Sequence, residues 1–172
     1  MGNLRSLKPL FGDDILLTDF DPESDQINTM YKYYIEDFVN HPILIGKKQV
    51  ITFQEKSKIK IFSNYPETFV HLITREIKLT RQRFYECNRA NRIHWIKPIL
   101  ISFPDKNILY YKWKDEKEVI KDHFWLFEKD FMVVLKEYRA NFLIITAFCL
   151  DNDQKIKYYE RFKAYKENHG GI

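Results

Sequence analysis

The chain has 172 residues, a formal charge of +4 and a sequence pI near 8.9. That length suits one domain, or one domain with an appended subdomain, and the 45% hydrophobic content supplies a core, which excludes a wholly disordered chain. Only five glycines, with no Walker or dinucleotide fingerprint, exclude a glycine-rich phosphate loop, and so mild a basic excess argues for an anionic partner only where the cations cluster.

Residues 1–21 read as extended. A helix is expected from Ser24 or Asp25 as cap, with Ile27, Met30, Tyr31, Tyr34, Ile35 and Phe38 at helical spacing, ending at Asn40-His41-Pro42. Residues 49–53 and 58–62 are short strand-like runs flanking Gln54-Glu55-Lys56-Ser57, a small hairpin. On this basis residues 1–64 form an extension or subdomain of unassigned role, and residues 65–172 form the main domain.

Pro66 opens a second helix over 67–76, with Phe69, Ile73 and Ile77 on its apolar side and His71 and Arg75, four apart, on another. Thr80 caps a third helix running toward Trp95, along which Phe84, Cys87 and Asn91 share one side. Arg81, Tyr85, Arg89 and Arg92 form a basic stripe with one aromatic ring in it. The period then changes to two, giving strands at 108–113, 124–127, 131–138 and 142–149. A loop of Arg139-Ala140-Asn141 joins the last two, with Tyr138 opposite Phe142, Leu135 opposite Ile145 and Val134 opposite Thr146. One face of this hairpin is then apolar except for Glu137. On the other face Lys136 and Thr146 are diagonal neighbours, so the sheet has a core side and a working side. Asp151 or Asp153 caps a last helix bearing Ile156, Tyr159 and Phe162. The plan is α+β: N-terminal helices, a four-stranded antiparallel sheet, and a C-terminal helix.

Cys87 and Cys149 lie in unrelated patterns without CxxC spacing, which predicts reduced thiols and a cytoplasmic setting, and no apolar run reaches membrane length. No metal or cofactor is expected: the histidines lack metal spacing, and acids such as Asp13-Asp14 or Asp151 and Asp153 suit turns and caps. His71 and Arg75 suit proton transfer and phosphate binding, although two polar residues on a solvated helix face satisfy the same pattern. The arginine stripe suits phosphates and unstacked bases, or equally a solvated face paired with acids. Lys136 and Thr146 are also ordinary edge and strand residues.

The segments HLITRE, RANRIHWIKPIL and DFMVVLKEYRANFLIITAF, with the order of elements around them, resemble the phage-associated branch of the barnase/EndoU/colicin E5–D/RelE-like nucleases over roughly residues 69–150. The resemblance implies helices preceding a four-stranded antiparallel sheet whose open face holds the active site. It implies metal-independent RNA cleavage, tRNA included among substrates, and an immunity or antitoxin protein as partner. Carried over by position, the functional set is His71, Arg75, Arg92 and Thr146, with Lys136 a further catalytic candidate; Arg92 positions the backbone, and the stripe read from spacing, Arg81, Tyr85, Arg89 and Arg92, is expected to bind nucleic acid. A base removes the ribose 2′-OH proton, the oxygen attacks phosphorus, and the product is a 2′,3′-cyclic phosphate. The alternative is a non-catalytic α+β module that binds nucleic acid or a partner protein.

Overall fold

The computed structural model describes residues 3–12 and 22–169. The acid pair Asp13-Asp14 lies outside them. Helix α1 (Ser24–Tyr34) opens on Glu23, whose N–H donates to Gln26 Oε1 at 3.3 Å, so the cap is one residue earlier than expected. The helix continues as a π-helical turn, Ile35–Asn40, and stops ahead of Pro42, which cannot extend it. Met30, Tyr34 and Phe38 are buried, as their spacing requires.

Strands β1 (Leu44–Ile45) and β2 (Lys48–Ile51) make a hairpin around Gly46, whose φ of +59° the tight turn needs. The hairpin expected between 49–53 and 58–62 does not form. The second run becomes a 3-10 turn, Lys60–Phe62, that buries Phe62, because Val50 pairs instead with Phe142.

Helix α2 (Glu67–Ile73) starts on Pro66 as expected but ends three residues early. The chain there enters β3 (Thr74–Glu76), which pairs antiparallel with β4 (Arg83–Tyr85). Arg81 at the turn has a φ of +60°, a left-handed conformation that no helix passes through. The helix expected over 80–95 is therefore β4, then α3 (Cys87–Ala90) and a 3-10 turn, Ile93–Trp95, leading into α4 (Ile96–Ser102).

Strands β5 (Ile108–Lys114), β6 (Ile120–Leu126), β7 (Phe131–Tyr138) and β8 (Asn141–Cys149) pair antiparallel in sequence order. They do not make the whole sheet. It has six strands in the order β1-β2-β8-β7-β6-β5, with β2 parallel to β8, so the expected four-stranded antiparallel sheet is corrected to a mixed six-stranded one. The expected hairpin register holds from Phe131–Cys149 to Val134–Thr146 and then slips: Leu135 pairs with Ile144 rather than Ile145. A bulge at Ile145 absorbs the extra residue, and the loop shortens to Arg139-Ala140 with Arg139 at φ +55°. The slip returns Ile144 and Phe142 to the core face.

Phe131, Val133, Leu135, Ile144 and Ala147 pack on α1, α2 and α4, and the N-terminal Leu4, Ile27 and Val50 join the same core. The opposite face carries a second core of Tyr111, Trp125, Met132, Val134 and Leu150. It is covered by α5 (Asn152–His169), through Tyr158, Phe162 and Tyr165. Asp151 caps that helix, its Oδ1 accepting from Gln154 N–H at 2.8 Å. Ile156 and Tyr159, expected on the apolar stripe, are exposed; Phe162 packs with the ring four before it and the ring three after it. The face expected to lie open is therefore largely roofed. No helix among the described residues is long and apolar enough to cross a membrane.

Candidate functional site

Thr74, at the join of α2 and β3, is fully buried and organises a polar cluster beside β8. Its hydroxyl donates to the Val70 carbonyl at 2.6 Å and accepts from Arg83 Nε at 2.9 Å. Its carbonyl accepts from Arg83 Nη2 at 3.1 Å and from Arg89 Nη1 at 2.9 Å. Arg89, 9% exposed, also donates from Nε to Glu86 Oε2 at 2.6 Å and reaches the Thr146 hydroxyl at 3.4 Å. The guanidinium thus straps α3 to the last strand.

His71 belongs to the same neighbourhood. Its Nε2 lies 2.9 Å from Glu67 Oε1, one helical turn earlier. Burial first, and then the charge of Arg83, lower its pKa below the ordinary histidine range, against the opposing pull of Glu67. A carboxylate only accepts, so the neutral ring carries its proton on Nε2 and keeps Nδ1 as a bare lone pair. A carboxylate orienting an imidazole in this way is the arrangement a general base requires.

The other expected catalytic residues lie elsewhere. Arg75 pairs across β3–β4 with Phe84, is exposed, and occupies the opposite face of the ribbon from Thr74 and Arg83, because α2 ends before it could align Arg75 with His71. Arg83 takes its place beside His71. Lys136 pairs with Leu143 and shares a face with Val134, the partner of Thr146, so Lys136 and Thr146 stay diagonal as expected, with the bulged Ile145 added between them on β8.

The arginine stripe is also taken apart by the fold. Arg81 pairs with Glu76 at 2.9 Å, and Arg92 donates to the Asn88 carbonyl at 2.9 Å with its guanidinium 5.1 Å from the Trp95 ring centre. Tyr85 packs against the main core near Met30, where burial raises its pKa, so it offers no platform for a base. Only Arg89 of the four reaches the cluster.

Lys136 instead lines an open groove of about 520 Å³ between the sheet, the β5–β6 turn and α5, together with Lys117, Lys121, Lys157 and Arg161. Lys121 pairs with Asp115 at 2.8 Å; that bond, with the backbone N–H of Val119, holds the Asp115 pKa down at about 2. Arg161 lies over Trp113 and Tyr158, at 5.2 and 5.1 Å from their ring centres. Among the described residues no carboxylate pairs with Lys117, Lys136 or Lys157. Arg83 sits within a stretch whose spacing imitates one long helix, and Arg161 on a helix whose buried face differs from its apolar stripe, so neither stood out; Glu67 is readable from its spacing to His71.

Both cysteines are free thiols, and burial raises the pKa of each, that of Cys149 to about 11. Among the described residues no three His, Cys, Asp or Glu side chains are grouped to hold a metal ion. Comparison with family models, curated proteins and solved structures returns no match to this chain.

Proposed function

We propose that this chain is a metal-independent ribonuclease-type domain acting on single-stranded or structured RNA, tRNA included, with the Thr74 cluster as its reaction centre. The observation that carries the reading is the near-buried Arg89 joining the Thr74 carbonyl to the Thr146 hydroxyl, with an imidazole oriented by Glu67 three residues before Thr74 and under the charge of Arg83. His71 Nδ1 takes the ribose 2′-OH proton, and the oxygen attacks the adjacent phosphorus. Arg83 and Arg89 offset the charge that develops on the phosphorane. The Thr146 oxygen accepts from Arg89, which leaves its own proton for a non-bridging phosphate oxygen. The protonated His71 then returns a proton to the departing 5′-oxygen, leaving a 2′,3′-cyclic phosphate. The groove with Lys117, Lys136 and Lys157 carries the flanking backbone. An immunity or antitoxin protein with an acidic surface would compete for it.

Incubating the protein with total RNA, with and without EDTA, and mapping the ends tests the reading. Cyclic phosphate ends formed in EDTA support it; no cutting under any metal condition ends it. The second reading, a non-catalytic RNA-binding module, is favoured by the placement of Arg75 on the face of the ribbon away from Thr74 and Arg83. It expects binding without product.

A further inference from the structure

Next to Thr146 the sheet and α5 enclose a second cavity of about 180 Å³. This is below the roughly 300–1,000 Å³ of sites that hold whole drug-sized ligands, and has room for one heterocycle. Its walls are aromatic, from Trp113, Phe148 and Tyr158, with Arg161 and Thr146 at the polar side. His123 lines it and is 6% exposed, its ring stacked on Tyr111 at 4.6 Å and 7°.

The hydrogen bonding fixes what this histidine offers. Its Nδ1 lies 3.1 Å from the Lys121 carbonyl. A carbonyl only accepts, so Nδ1 carries the proton. Burial lowers the ring's pKa to about 4, so it is neutral near neutral pH and Nε2 is an unprotonated acceptor. Among the described residues nothing donates to Nε2.

We infer that this cavity is a base slot, which takes one unstacked nucleobase of single-stranded RNA with its hydrogen-bonding edge toward His123 Nε2. Every base edge offers an N–H, which matches an acceptor that has no donor of its own. The aromatic walls and the Arg161 plane match the faces of the ring. Lys121 and Arg161 line both this cavity and the basic groove, so a strand lying along the groove turns a base inward here. The inference rests on the RNA reading above and adds how the nucleotide beside the reacting phosphate is held.

The test uses fluorescence anisotropy with 2′-O-methyl oligonucleotides, which lack the attacking hydroxyl, in base-bearing and fully abasic forms. Wild-type protein should bind the base-bearing strand about tenfold more tightly, since a stacked base is commonly worth that or more. His123→Phe keeps the ring on Tyr111 and removes the acceptor; it should erase most of the preference without changing affinity for the abasic strand. If circular dichroism shows His123→Phe unfolded, the wild-type His123 Nε2 nitrogen shift is used in its place. That shift should move with the base-bearing strand and stay still with the abasic one. Equal wild-type affinity for the two strands overturns the slot, and so does a variant that weakens both equally. Failure to bind either strand overturns the RNA reading itself, a result distinct from binding without base preference.

Discussion

At Arg89 a guanidinium that is nine-tenths buried serves Glu86, the Thr74 carbonyl and the Thr146 hydroxyl, so removing it takes three hydrogen bonds at once and leaves the Thr74 carbonyl to Arg83 alone. A hydrogen bond to a charged group contributes about 1.5–3 kcal/mol, and Arg89→Met should lower stability by at least about that much. Denaturant unfolding should show a lower midpoint with an unchanged slope. Lysine is not a substitute, because an ammonium cannot present the planar fork that spans these partners. His71 is a different kind of position: half-buried, bonded to one carboxylate, and dispensable to the core. His71→Ala should therefore leave the fold intact while cutting RNA cleavage by about 10²- to 10⁴-fold in a gel assay, with Thr146→Val slowing it less. Its lowered pKa means that the lone pair on Nδ1 is present at neutral pH and is lost as pH falls through that value. The rate should thus drop on the acid side, and that limb should be absent from the residual activity of His71→Ala.

Among the elements, the meander is legible in the sequence because strands near 131–149 alternate or are continuously apolar, and a run of β-branched and aromatic residues has few other uses. Of the first two strands, β2 is legible in part, within the strand-like run at 49–53, whereas the two-residue β1 carries no period and the partner of Val50 lies far along the chain. Arg81, Tyr85, Arg89 and Arg92 match a helical spacing by coincidence; Arg81 at positive φ breaks it, and no residue type at that position announces the break. Of the site, His71 and Thr146 are legible as residues, whereas their link through Arg89 depends on a strand ribbon that periodicity does not reveal. The bulge at Ile145 is equally silent, because either register buries apolar side chains. The packing of α5 is open to direct measurement. Phe162→Ala should destabilise by roughly 1.5–3 kcal/mol through reduced burial on the outer core, while Ile156→Ala, on the exposed side, should stay within about 0.5 kcal/mol. Equal losses at the two positions would mean that the helix is rotated from the orientation described.

For the molecule as a whole, pH and salt act on separate regions. His123 is neutral and buried when folded, with a pKa of about 4 against an ordinary 6.5, so the unfolded chain binds its proton first. Stability from this group is complete above about pH 6.5 and falls as pH drops toward 4, by on the order of 3 kcal/mol, and His123→Phe should flatten that limb of a stability–pH curve. Salt acts through the groove. Lys136→Ala with Lys157→Ala should weaken RNA binding and reduce the slope of log affinity against log salt by about 0.7 for each phosphate no longer neutralised. An unchanged slope would place the RNA elsewhere. The parallel pairing of β2 with β8 carries a consequence for synthesis on the ribosome. Val50 emerges early, but its partner Phe142 comes some ninety positions later, and Gln49 waits as long for the Asn141 side chain, 92 residues away. At about 5–20 residues per second that interval is roughly 5–20 s, during which an unfinished strand edge is available to any neighbouring nascent chain. The β5–β6 hairpin closes within that window, whereas β2 gains its second neighbour only with β8, the last strand to emerge.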